Sequence, residues 1–386
     1  MSSVTVSAAN GDWRLALSEP RRRRLRLWIL AIAATTASVL VVGGITRLTH
    51  SGLSIVEWQP LVGVVPPLGD SQWVERFEQY RRFPEYQQLR RDMTLGEFKW
   101  IFFWEYLHRL LARGIGVVFL VPCVAFWRAG YFTRPLARRV LALFGLGAAQ
   151  GALGWFMVRS GLVDRPSVSH YRLAAHLMLA FVIFGYCVWL ARDLAATRPR
   201  GPVDAHGRHL VARGLGLVGG LLAAQLIWGA FVAGLKAGLL HNTFPLMGGR
   251  LVPVTLLAQE PALLNFVENV TAVQWTHRVL GSALLAATAL LWLLVRRMSA
   301  DRTSRRASGA LAVVTAAQYL LGVATLLTGV HIGLAVAHQA LALALVGVWV
   351  AWVHHVHAAA APARSSIRRD RQTLPGGVTA QAASRR

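Results

Sequence analysis

Four ionisable residues, Glu105, His108, Arg109 and Arg113, stand inside one apolar run, Glu97-Phe-Lys-Trp-Ile-Phe-Phe-Trp-Glu-Tyr-Leu-His-Arg-Leu-Leu-Ala-Arg-Gly-Ile-Gly116. Charge in a bilayer core is costly, so such residues face a bundle interior or cavity and mark function. Glu105 and His108 are three apart and share one face of a helix. A second run, Gln274-Trp-Thr-His277-Arg278, repeats the pattern with an amide in place of the carboxylate. A carboxylate there can serve as a base or a counter-charge, whereas an amide can only hydrogen-bond. Glu105 can equally pair with Arg109 at i,i+4.

Two more histidines complete the set. Spans one to four carry His108 and His176, spans five to eight carry His277 and His338, and the separation within each pair is similar. The third spans match loosely as well, Ala149-Gln-Gly-Ala-Leu-Gly154 against Ala317-Gln-Tyr-Leu-Leu-Gly322. This is the signature of an internal repeat, and repeats with sites between the copies are a common membrane architecture. All four histidines fall in the outer third of their spans. Two neutral imidazoles facing each other across a bundle can hold a haem iron from both sides, and Arg109 and Arg278 could pair with its propionates. A lone membrane histidine is more often an interhelical hydrogen bonder; four at equivalent positions of a repeat favour ligation. His50, His170, His241 and His331 lie near the outer interface as possible cavity lining, and His354, His355 and His357 read as a solvated helix end.

The elements that must position these residues are membrane helices. The chain is 55% hydrophobic and 15% charged, with mean hydropathy +0.45, the profile of an all-α polytopic membrane protein. A net charge of +24 without any basic recognition module excludes nucleic acid as a partner and fits the positive-inside pattern, with attraction to anionic lipid. The two cysteines lie in predicted spans, and neither a Cys-x-x-Cys-His motif nor a zinc pattern is present. The first 26 residues lack a signal-peptide core, so the first apolar segment is expected to remain as a helix.

Spans are predicted at 27–46, 100–127 and 140–158, a fourth entered through Tyr171–His176 and ending at about 191, then 214–235, 272–295, 309–330 and 332–353. Most of the 41 Lys and Arg fall in the N-terminus, the 128–139, 192–213 and 296–306 loops and the tail. That distribution predicts eight spans with both termini cytoplasmic. The expected organisation is a basic cytoplasmic N-terminus (1–26), a first four-helix half (27–192), a cytoplasmic linker (193–213), a second four-helix half (214–355) and a disordered basic tail (356–386). The halves form two pseudo-symmetric four-helix bundles. A long outer segment, 48–98, carries Trp73, Phe77 and Tyr80 at helical spacing, read as a helix on the membrane interface or a lid over a pocket.

At these residues the chain resembles the haem A synthase family. The motifs are Gly43-Gly-Ile-Thr-Arg-Leu-Thr-His-Ser-Gly-Leu-Ser54, Glu105-Tyr-Leu-His-Arg109, Gly154-Trp-Phe-Met-Val-Arg-Ser-Gly161, Tyr171-Arg-Leu-Ala-Ala-His176, Asn242-Thr-Phe-Pro-Leu-Met247 and Glu268-Asn-Val-Thr-Ala-Val-Gln-Trp-Thr-His-Arg278. Together they cover nearly all of residues 27–353. The resemblance implies an oxidoreductase that converts the C8 methyl of haem O to a formyl group, giving haem A for terminal oxidase assembly, with water as oxygen source. It implies substrate haem O between His108 and His176, with Arg109 and Arg172 beside it and Glu105 as the catalytic group. It implies a retained haem b between His277 and His338, with Arg278 and Gln274 beside it. The iron ligands would then be His108, His176, His277 and His338. Segment 48–98 has no cysteine pair, as in the mitochondrial and related bacterial branch. The expected location is the inner (cytoplasmic) membrane. Expected partners are haem O, lipid, a haem O synthase, oxidase assembly factors, an electron acceptor that the sequence does not name, and another copy of the chain. The competing readings are a bis-histidine di-haem electron-transfer cytochrome and a transporter built on the repeat.

Overall fold

The computed structural model describes Trp13 and residues 17–57, 63–162, 167–195, 205–298 and 300–360. Residues 361–386 of the tail, most of the N-terminus and the middle of the 193–213 linker lie outside the described residues. In chain order the helices are α1 (Glu19–Leu48), α2 (Asp70–Arg81), α3 (Pro84–Leu89), α4 (Leu95–Arg128), α5 (Arg134–Leu162), α6 (His170–Leu194), α7 (Ala205–Gly234), α8 (Asn265–Glu268), α9 (Val270–Arg297), α10 (Arg302–Leu327) and α11 (Ile332–Ala360). Eight of them, α1, α4–α7 and α9–α11, are long and apolar enough to cross a membrane, and no strand occurs among the described residues. The protein is an all-α, multi-pass membrane protein.

Local chemistry sets where the spans begin. Thr94 and Glu97 form a capping box at the start of α4, with Glu97 N donating to Thr94 Oγ1 at 3.2 Å and Thr94 N donating to Glu97 Oε2 at 2.8 Å. Asn269 accepts from Thr271 N at 2.9 Å to start α9, and Asp301 accepts from Thr303 N at 2.8 Å to start α10. The Thr94 cap makes α4 begin at Leu95, before the apolar stretch that predicts a span from 100. Those extra turns receive the outer segment. Trp73, Phe77 and Tyr80 of α2 pack on Phe98 and Phe102 of α4, with ring centroids 5.0 Å apart for Trp73–Phe102, 5.1 Å for Phe77–Phe98 and 5.3 Å for Tyr80–Phe98. The aromatic stripe of α2 is therefore spent on protein, as a cap on α4.

Within the first half α1 packs on α4 and α6, and α5 packs on α6; within the second, α7 packs on α9, and α10 on α9 and α11. The halves meet through α6 against α7 and α11, and α1 against α11. The largest apolar cluster crosses that boundary, joining Leu40 of α1, Phe181 of α6, Leu215 of α7, Leu284 of α9, Leu311 of α10 and Trp352 of α11. Polar ties reinforce it. Gln339 Nε2 donates to Leu40 O at 2.7 Å, and Trp349 Nε1 donates to Leu215 O at 3.0 Å. At the other helix ends, buried Asp193 holds Arg139 Nη1 at 2.6 Å and His354 Nε2 at 3.0 Å, linking α5, α6 and α11. His354, expected to be solvated, is buried in that cluster.

Candidate functional site

Each of the four histidines lies against a glycine on a neighbouring helix. His108 on α4 meets Gly43 on α1, His176 on α6 meets Gly154 on α5, His277 on α9 meets Gly229 on α7, and His338 on α11 meets Gly322 on α10. A Cβ added at these glycines would stand 2.8, 3.0, 3.1 and 2.9 Å from the imidazole Cε1 atoms. Only glycine lets the ring seat so closely against the backbone. His108 and His176 stand on α4 and α6 of the first half, His277 and His338 on α9 and α11 of the second.

Four residues before three of these glycines stands a glutamine, Gln150, Gln225 or Gln318, one helical turn away. Its amide nitrogen lies 3.4 Å from His176 Nε2, 3.3 Å from His277 Nε2 and 3.3 Å from His338 Nε2 respectively. An amide N–H can only donate, so each Nε2 is the ring's acceptor and Nδ1 carries the proton. Those Nδ1 atoms, in His176, His277 and His338, are buried without a partner. At His108 the corresponding residue is Val39, and its carbonyl accepts from His108 Nδ1 at 3.2 Å. All four rings thus keep the lone pair on Nε2. Sequence reasoning missed these glutamines as partners, although Gln-x-x-x-Gly occurs at each of the three positions.

Glu105 is nearly fully buried and fully bonded. Its Oε2 accepts from Ser54 Oγ at 2.7 Å and Ile55 N at 2.8 Å, and its Oε1 accepts from Arg109 Nη2 at 2.7 Å. Arg109 also donates to Ile55 O at 2.8 Å and Glu57 O at 3.2 Å. The pair therefore clamps residues 54–57 of the outer segment onto α4. In the second half Gln274 Nε2 and Arg278 Nη2 donate to His241 O at 3.1 and 2.8 Å, and Arg278 Nη1 donates to Thr243 O at 2.9 Å. The same two helix positions grip the outer segment in both halves, with a charged clamp in one and a neutral acceptor in the other. Arg278 Nε remains buried without a partner. Arg172 lies apart from both clamps, donating to Phe156 O at 2.8 Å with its guanidinium over the Phe156 ring. Tyr171 OH donates to Glu268 Oε1 at 2.6 Å, tying the start of α6 to α8.

A further carboxylate, unremarked in the sequence, lies in the outer cap. Burial pushes Glu85 on α3 up to about 7, against the pull of Arg90, whose Nε stands 3.7 Å away, and with a smaller upward push from Glu105. A carboxyl whose folded pKa exceeds its unfolded value binds more protons when folded, so its contribution falls as pH rises from the ordinary glutamate range to about 7 and is flat above. Glu85→Gln should therefore raise the unfolding midpoint at alkaline pH and leave it unchanged in mild acid, as read by thermal melts in detergent.

The sequence profile of the cytochrome oxidase assembly protein family matches residues 26–350. A protein named heme A synthase from Rhodospirillum centenum is 47% identical over 357 residues, covering 92% of this chain and 93% of that protein. Those of Nitrosospira multiformis and Agrobacterium fabrum are each 44% identical, covering 89% and 92% of this chain and 95% and 96% of those proteins. The chain belongs to the haem A synthase family. In this family member the match spans all eight membrane helices, and therefore both histidine pairs and both clamps. The di-haem cytochrome and transporter readings gain nothing from these comparisons.

Proposed function

We propose that this chain is a haem A synthase of the inner membrane, oxidising the C8 methyl of haem O to the formyl of haem A. The observation that carries the reading is the asymmetric duplication. Two histidine pairs sit in equivalent cradles, yet only one has a buried carboxylate a turn away. The residues fit haem. Each imidazole is seated by a glycine, each keeps its Nε2 lone pair, and three Nδ1–H groups are left buried. At three rings the amide bond to Nε2 has a net worth of about 1 kcal/mol, weak enough to yield to a metal bond. His277 and His338 would hold a resident haem b, which supplies one-electron redox capacity when bound.

His108 and His176 would hold the substrate in the first half. There the Glu105–Arg109 clamp fixes residues 54–57 over the start of α4, which orders the outer wall and limits water entry. Glu105 is the one buried carboxylate one turn from a paired histidine, and in its ionised form it offers a base or a counter-charge to an electron-poor ring edge. Its bonds to Ser54 and Ile55 hold the carboxylate in one orientation. Arg278, with one unpartnered N–H, retains a donor for a ligand carboxylate in the second half. Arg172, engaged with Phe156, is assigned to the rim of the first site.

Extraction of haem from the purified protein tests this reading. Haem O or hydroxylated haem O together with haem B supports it; haem B alone after expression beside a haem O synthase would overturn it. The orientation, with both termini cytoplasmic, is tested separately. The exposed residues Gln87, Arg250 and Arg305 carry the probes. Cysteines at Gln87 and Arg250 should react with an impermeant thiol reagent on intact cells, and one at Arg305 should not.

A further inference from the structure

The equivalence between the halves fails at one seam. In the second half α9 and α10 pack along each other, and Tyr319 of α10 is set into the join. Its hydroxyl lies 3.0 Å from Ser282 Oγ on α9, and its ring stands edge-on to Phe244 with centroids 6.2 Å apart. Its Cδ2 would be 3.7 Å from a Cβ at Gly281 of α9. The counterparts α4 and α5 share no extended packing among the described residues. They meet where Phe119 and Phe144 approach, with centroids 6.0 Å apart, well to the far side of His108 from the outer cap.

Matching Gln150 with Gln318, and His108 with His277, places Gly151 at the position of Tyr319 and Arg113 at that of Ser282. Gly151 is exposed, and a Cβ there would meet nothing within 4 Å. Over the outer end of the gap lies α3, which contacts α5 and sends Tyr86 into the aromatic cluster on α4. The gap is thus closed above by α3 and below by Phe119 and Phe144, and opens sideways. Behind it sits Gln150, adjacent to Gly151 and bonded to His176.

We propose that the α4–α5 seam is a lateral portal through which an apolar-tailed haem passes between the bilayer and the His108–His176 pair, and that Tyr319 bolts the matching seam shut in the second half. The proposal rests on the first half being the substrate site. A substrate with a long isoprenoid tail is strongly retained by lipid, since each buried methylene is worth about 0.8 kcal/mol. A sideways path lets the tail stay in hydrocarbon while the ring slides between two helices. A resident haem needs the opposite, a seam that does not part.

The test supplies haem O in lipid vesicles to purified protein and follows its uptake optically, with haem B content measured on the same sample. Gly151→Tyr, which restores the bolt, should keep wild-type haem B and slow haem O uptake at least about tenfold. Should it fail to fold, as judged by haem B content, the smaller Gly151→Leu is read in the same way. Tyr319→Gly should release haem B to apomyoglobin at least about tenfold faster than wild type. Wild-type uptake by a folded Gly151 variant, or unchanged haem B release by Tyr319→Gly, would overturn the portal. His108→Ala, His176→Ala separates the two ideas. If that variant still takes up haem O normally, the substrate assignment fails; if it does not while Gly151→Tyr does, only the portal fails.

Discussion

Glu105→Gln is expected to cut haem A formation at least about a hundredfold, the scale of a lost general base. The structure adds a second consequence. Glu105 is only 2% exposed and its partner Arg109 is held by it at 2.7 Å. Neutralising one member of a buried ion pair leaves the other charge uncompensated, typically at a cost of about 3–5 kcal/mol. A single substitution therefore confounds chemistry with the loss of the clamp on residues 54–57. The double variant Glu105→Gln, Arg109→Met separates the chemistry from the uncompensated charge, while giving up the Arg109 bonds to Ile55 O and Glu57 O. It removes both charges, so thermal stability should return most of the way to wild type, while haem O remains unconverted in the extracted pigment. Recovery of activity along with stability would show that the Glu105 carboxylate has no part in the chemistry.

The second large effect is on the second-half histidines. Replacing both His277 and His338 by alanine should leave the purified protein without haem B, whereas His108→Ala, His176→Ala should retain it. Each ring is seated against a glycine, so alanine also empties a shaped space and should lower the unfolding midpoint. Single alanine variants should show reduced content and a shifted visible spectrum, because one of the two residues that would hold the haem remains. Wild-type haem B in the double variant would remove these residues as its ligands. Gln225→Leu and Gln318→Leu supply the control, since they spare the rings and remove the amide contacts to Nε2 and, at Gln318, to His338 O.

Much of this arrangement is visible in the sequence because membranes impose strong rules. Arginine distribution and apolar length place the eight spans, and an intramembrane Glu-x-x-His-Arg is conspicuous at a glance. What escapes is contact at long sequence separation. Nothing near Glu105 announces that its carboxylate will be bonded by Ser54 and Ile55, some fifty residues earlier. The apolar spacing places the start of span two at 100 because Glu97 and Lys99 interrupt the apolar pattern, yet the Thr94–Glu97 cap carries the helix outward. The aromatic stripe of α2 has the spacing of an amphipathic helix, and only packing reveals that its partner is α4 rather than lipid. Gln150 and Gln318 stand out in the loose third-span match, but Gln225 lies on α7, where the repeat leaves no such parallel. The contrast of Gly151 with Tyr319 is likewise plain in that match, and gains meaning only when one seam is seen packed and the other parted.

The apolar cluster that runs from Leu40 through Phe181 and Leu215 to Trp352 does not respect the boundary between the two copies. Buried Asp193, gripping Arg139 from its own half and His354 from the other, crosses the same line. Neither set of four helices owns a complete interior. Because the two halves share one scaffold, a loss of packing in either half is inherited by both.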